Sequence, residues 1–123
     1  MAHPLLSKVE KIVKSYPAVV FMKGTPDFPQ CGFSKRACMV LKAAGVPGVL
    51  GVNVFEDDDL WGAAEEYANY DLSPMVFING EFVGGSDIVL QMYENGDLVK
   101  MLEGVQWPAN ADPAVVPAAR IGG

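Results

Sequence analysis

Ala18-Val19-Val20-Phe21-Met22 is an unbroken apolar run, residues 23–30 follow with two prolines, and Cys31-Gly32-Phe33-Ser34 then opens a helical pattern. The apolar run reads as a strand buried on both faces. From Phe33, the set Ala37, Val40, Leu41 and Ala44 recurs at helical spacing and is closed by Gly45 and Pro47. A cysteine where loop gives way to helix meets unpaired N–H groups and about half a positive charge. Such a thiolate is stabilised, so the sulfur becomes a nucleophile or a metal ligand. A second cysteine three residues on would make a dithiol site, but that position is Ser34. The bland alternative is an inert core cysteine. The preceding loop, the adjacent Gly32 and a nearby cation at Lys23 weigh against it.

Outward from this stretch the pattern continues. Leu5, Leu6, Val9, Ile12 and Val13 give a helix ending before Pro17, and residues 49–55 read as a strand. Leu60, Ala63, Ala64, Tyr67 and Ala68 give a third helix, its start marked by Asp57-Asp58-Asp59 near the positive helix end. Met75–Ile78 and residues 81–83 flank Asn79-Gly80, a two-residue hairpin signal. Ile88, Val89, Met92 and Tyr93 form a helix after Gly84-Gly85, and a last turn or two covers residues 98–102. The order predicts an α/β fold of thioredoxin-like architecture, a four-stranded mixed sheet with helices on both faces. The predicted domain is residues 1–103. Residues 104–123, with Pro108, Pro113 and Pro117, read as a flexible tail.

A chain of 123 residues, half of them hydrophobic, fits one domain with one compact core. A net charge of −6 argues against non-specific nucleic-acid binding. No apolar stretch approaches the ~20 residues of a membrane span. Two cysteines make no disulfide scaffold, so a reducing compartment is the default. The first residues show neither a secretory signal nor an Arg-rich transit peptide. A chain starting after a removed targeting segment would look the same.

Taken together, Lys23-Gly24-Thr25-Pro26, Pro29-Gln30-Cys31-Gly32-Phe33-Ser34, Val52-Asn53-Val54, Asn79-Gly80-Glu81-Phe82-Val83 and Gly84-Gly85-Ser86-Asp87-Ile88 resemble a monothiol glutaredoxin of the CGFS class. The resemblance covers residues 5–103. It implies that Cys31 is the reactive and metal-ligating residue. It further implies that Lys23, Gly32, Phe33, Ser73, Pro74, Gly85, Ser86 and Asp87 bind glutathione. By the same likeness the Ser73–Pro74 bond is cis and faces the cysteine, leaving the backbone of Ser73 to pair with a peptide-like ligand. The plainer reading of Gly84-Gly85-Ser86-Asp87 is a turn and N-cap. The fuller one seats a γ-glutamyl carboxylate on helix N–H groups, with its ammonium on Asp87.

Two outcomes follow from one thiolate and a bound glutathione. Either Cys31 exchanges with mixed disulfides and glutathione resolves the product, or two chains and two glutathiones supply four thiolates for a 2Fe–2S cluster. The family favours the second. It implies a homodimer when cluster-bound and a monomer when apo, with BolA-like proteins and apo iron–sulfur proteins as partners. It also favours the mitochondrial matrix, with the cytoplasm as the alternative. On this reading enzyme activity is at most a weak thiol–disulfide exchange. A third possibility is an adaptor that has the fold but no stable cluster.

Other positions carry less. Cys38 is seven residues along the same helix, about 10 Å from Cys31, beyond the ~7 Å a disulfide tolerates, and reads as core. Many relatives carry another cysteine where this chain has Ser86. His3 and Asp57-Asp58-Asp59 read as solvated, the methionines as gap fillers, and Trp107 falls in the expected tail. Relatives usually place an arginine at Trp61 and read differently across residues 70–75. Losing that arginine removes a charge-assisted contact to a glycyl carboxylate. With Asp71, this suggests a glutathione–polyamine conjugate as the thiol in place of glutathione.

Overall fold

The structure, a computed structural model, describes residues 3–108. Strand β1 (Ala18–Met22) lies inside a four-stranded sheet. It pairs in parallel with β2 (Leu50–Asn53) and antiparallel with β3 (Met75–Ile78). Beyond β3, β4 (Glu81–Gly84) forms the far edge. Helices α1 (Leu6–Ser15) and α3 (Asp58–Ala68) cover one face of the sheet. Helices α2 (Gly32–Ala43), α4 (Ser86–Glu94) and α5 (Asp97–Leu102) cover the other.

The continuous apolar run of β1 is explained by this layering. Strand side chains alternate between faces. Val19 and Phe21 join the core under α1 and α3, while Ala18, Val20 and Met22 join the core under α2, α4 and α5. β3 divides likewise, with Met75 and Phe77 on one side and Val76 and Ile78 on the other. Phe21 and Phe77 are fully buried and meet edge-on at 5.7 Å between ring centres. Complete burial of such a side chain contributes about 1.5–3 kcal/mol over leaving it in water.

The hairpin at Asn79-Gly80 has φ of +52° and +82°, as a turn matched to strand twist requires. β2 is shorter than the apolar pattern of residues 49–55 suggests. The side-chain oxygen of Asn53 accepts from the N–H groups of Gly24 (3.1 Å) and Phe55 (3.0 Å), and this turns the chain out of the sheet.

Two expectations about the ends change. His3 is not simply solvated: its Nδ1 accepts from the Leu5 N–H at 3.1 Å, and its own N–H donates to Glu66 at 2.9 Å. Trp107, in the stretch read as tail, lies 6.3 Å from the Tyr16 ring and packs on the core under α2 and α4. The rest of that expected tail, residues 109–123, lies outside the described residues.

Candidate functional site

Cys31 is the N-cap of α2, with extended backbone (φ −148°, ψ 138°) and a half-exposed side chain. No capping hydrogen bond closes on the neutral thiol. The N–H groups of Phe33, first, and Ser34, second, nevertheless favour the thiolate and hold the Cys31 pKa below its ordinary 9.0. The Lys23 charge adds a smaller push in the same direction, against a modest desolvation cost. Cys38 shows the reverse case. Burial pushes its thiol up to about 11, and its sulfur rests 3.8 Å from that of Met22. The two cysteines of the chain are thus one half-exposed thiol of lowered pKa and one group packed on the core.

Ser34 stands where a resolving cysteine would be. It is fully buried, and its hydroxyl accepts from the Lys23 N–H at 3.2 Å. The Lys23 carbonyl accepts in turn from Gln30 at 2.9 Å. This pair of contacts ties the end of β1 to the first turn of α2 and fixes the loop that delivers Cys31. From sequence, Ser34 shows only that the position cannot form a disulfide. The brace joins residues eleven apart and leaves no periodic signal.

Phe33, Ser73, Pro74, Gly85, Ser86 and Asp87 come together as walls of one cleft of about 180 Å³. Cys31 precedes Phe33 of that wall by two residues. Ser73–Pro74 is cis, as the family likeness implies. The Ser73 hydroxyl is buried with no partner among the described residues. Tyr70, Leu72 and Ile88 complete the lining and went unassigned from sequence. A Cβ on Gly85 would stand 2.7 Å from the Tyr70 hydroxyl, so only glycine lets that ring close over the start of α4. Gly32 lines a neighbouring groove instead, and the exposed Lys23 is linked to the site through its backbone and its charge.

The first turns of α2 and α4 share a property. Among the described residues, no side chain accepts from the leading N–H groups of either helix, whereas Asp57 caps α3. Two uncapped helix starts bordering one cleft offer free donors to an anionic ligand. Asp87, expected to take an ammonium, already pairs with Arg36 at 3.0 Å. That arginine also lies 5.7 Å from the Phe33 ring centre. Trp61 is half-buried against the core under α1 and α3 and is not among the residues lining the cleft. Among the described residues no three His, Cys, Asp or Glu side chains gather closely enough to hold a metal ion.

Comparison with known proteins gives consistent matches. The profile of the Glutaredoxin family matches residues 18–83. Glutaredoxin-related protein 5, mitochondrial, of Danio rerio is 46% identical over 77% of this chain, which spans 61% of that relative's length. Reduced poplar apo GrxS14 superposes with a TM-score of 0.72 at 40% identity, covering 80% of this chain and 90% of that one. A buckwheat glutaredoxin–glutathione complex superposes with a TM-score of 0.69 at 29% identity, covering 79% and 86%. Further monothiol glutaredoxins carry mitochondrial or chloroplastic in their names.

Proposed function

Because the chain belongs to the glutaredoxin family, in its monothiol CGFS class, we propose that it carries a 2Fe–2S cluster as cargo between two copies of itself and hands it on in iron–sulfur protein biogenesis. The observation that carries this reading is the pairing of one half-exposed, acidified thiol with an uncapped, glycine-lined cleft beside it. The donor set fits. One chain offers a single thiolate, so a four-thiolate site needs a second chain and two thiols from solution. Bound there, the cluster would supply its iron to Cys31 and to the outside thiol.

This chain's residues would hold glutathione in three ways. The N–H groups at the start of α4 donate to its γ-glutamyl carboxylate. Asp87 receives its ammonium, in exchange with Arg36. The Ser73 backbone pairs with its cysteinyl portion as an added strand, directing the sulfur toward Cys31. Lys23, Gly32 and Phe33 complete the thiol end. BolA-like proteins and apo iron–sulfur proteins are the partners that this reading entails. Names of relatives support an organellar setting, the mitochondrial matrix first.

Trp61 and the exposed Asp71 offer no cation to the glycyl end of the ligand. A thiol whose glycyl carboxylate is amidated to a polyamine suits that end better than glutathione. Comparing the two thiols by calorimetry tests this, and equal or tighter glutathione binding would sink it.

A second reading rests on the same lowered thiol. The Cys31 thiolate attacks the glutathionyl sulfur of a mixed disulfide and the protein thiolate leaves. A free glutathione thiolate then attacks the Cys31 adduct, releasing oxidised glutathione and the Cys31 thiolate.

Anaerobic reconstitution with iron, sulfide and glutathione separates the two. Charge-transfer absorption with a dimer, both lost in Cys31→Ser or without thiol, is the expected result. A colourless monomer that still reduces mixed disulfides overturns the carrier reading in favour of exchange.

A further inference from the structure

A second cavity of about 450 Å³ lies between α2 and α4. It is an open groove floored by Met39, Val40 and Ala43 of α2 and by Leu90 and Tyr93 of α4. Met39 is 60% exposed there, a large flexible apolar side chain held at the surface. Gly32, Lys35 and Arg36 line the end of the groove nearest the thiol, since Gly32 directly follows Cys31.

The α2 wall of this groove is opposite in charge to the chain, while the α4 wall carries Asp87 and Glu94. The protein carries a net −6, yet α2 holds Lys35, Arg36 and Lys42 and no carboxylate. Lys35, Met39 and Lys42 repeat at helical spacing, so two cations flank the exposed methionine on one face. Among the described residues Lys35 and Lys42 make no ion pair, while Arg36 is shared with Asp87.

We propose that this groove docks an acidic partner protein, which lays an apolar side chain across Met39, Ala43, Leu90 and Tyr93 and sets carboxylates against Lys35 and Lys42. Screening decides in favour of the local row of cations over the net charge. At physiological salt fields fade over about 8 Å, so a docked carboxylate meets Lys35 and Lys42 of α2 and not the acids of α3, and of the two α4 acids across the groove Asp87 is already paired with Arg36. Continuity with the active thiol decides in favour of an acceptor. A partner seated in the groove has Gly32 and Cys31 at its end, where its own cysteines would be presented. The acceptor role rests on the carrier reading; the docking does not, and it is measurable without any cluster.

The probe is cluster-free plant-type ferredoxin, an acidic protein with cysteine ligands, titrated into the ¹⁵N-labelled apo chain and followed by amide shifts. At about 50 mM salt, shifts centre on Met39, Ala43, Leu90 and Tyr93, and raising salt to about 300 mM weakens binding roughly tenfold. Lys35→Glu weakens it about fivefold, and Ala43→Arg, which fills the groove, abolishes it. Absence of binding at low salt overturns the proposal. So do shifts confined to Phe33, Leu72 and Ile88, or an affinity indifferent to salt and to Lys35→Glu. Groove signals that move with the chain's own concentration, without ferredoxin, overturn it in favour of a second copy. If Ala43→Arg fails to fold, the exposed Lys35→Glu alone decides. Groove shifts in a chain that assembles no cluster would leave the docking surface standing and the carrier reading refuted.

Discussion

Helix α2 is preceded by Cys31 at φ −148° and ψ 138°, and helix α3 by Asp57 at φ −154° and ψ 97°. The backbone enters both helices from extended conformation, and the difference lies in the side chain. The Asp57 carboxylate accepts from the Leu60 N–H at 3.0 Å and closes its own helix end. The Cys31 sulfur closes nothing, so the donors of Phe33 and Ser34 remain available to a negative charge. One helix start serves stability, the other leaves its field free for chemistry. The two helices differ in the same sense: α3 carries four carboxylates and no cation, and α2 three cations and no carboxylate.

Making α2 begin like α3 breaks the comparison most severely. Cys31→Asp should abolish cluster assembly and exchange outright, while gaining about 1 kcal/mol in urea unfolding as the free donors find a cap. A variant that loses activity with no gain in stability would mean that those donors were never spare.

The two cysteines of α2 sharpen the point within one helix. Cys31 should alkylate with a midpoint below 9.0 and Cys38 only near 11. The linkage signs are opposite. Cys31 binds fewer protons folded than unfolded, so its contribution to stability grows as pH rises through its lowered pKa and is complete above the unfolded value. Cys38 binds more protons folded, so stability falls by roughly 2–3 kcal/mol between about pH 9 and 11. Cys38→Ala should lack that alkaline slope in pH-dependent unfolding. An unchanged slope would place its cause elsewhere.

The smallest effect is expected at α3. Asp57→Ala should cost about 1 kcal/mol and leave thiol reactivity and reconstitution at wild-type levels, by chemical denaturation and alkylation rate. A change in Cys31 reactivity would show that the two helix starts are coupled.

Much of this was legible in the chain. β1 was bounded to the residue because strands buried on both faces are apolar throughout, and the Asn79-Gly80 turn announced its hairpin by backbone chemistry alone. Cys31, the cis Ser73–Pro74 bond and Gly84-Gly85 came from motif. The rest depended on meetings that no periodicity encodes. The Ser34 brace joins residues eleven apart and the Arg36–Asp87 pair residues fifty-one apart. Trp107 reads as tail by composition and as core by contact. The groove is invisible in sequence because its floor is shared by two helices, each of which looks amphipathic on its own.

The hydroxyl of Ser34 has a kinetic consequence. A covalent adduct on Cys31 finds no second thiol in its own chain to release it, since position 34 is a bonded oxygen and Cys38 is a half-buried group seven residues along the same helix. Release is therefore second order. Its rate rises and falls with the concentration of thiol outside the protein, so the lifetime of any Cys31 adduct reports the reducing strength of the surroundings.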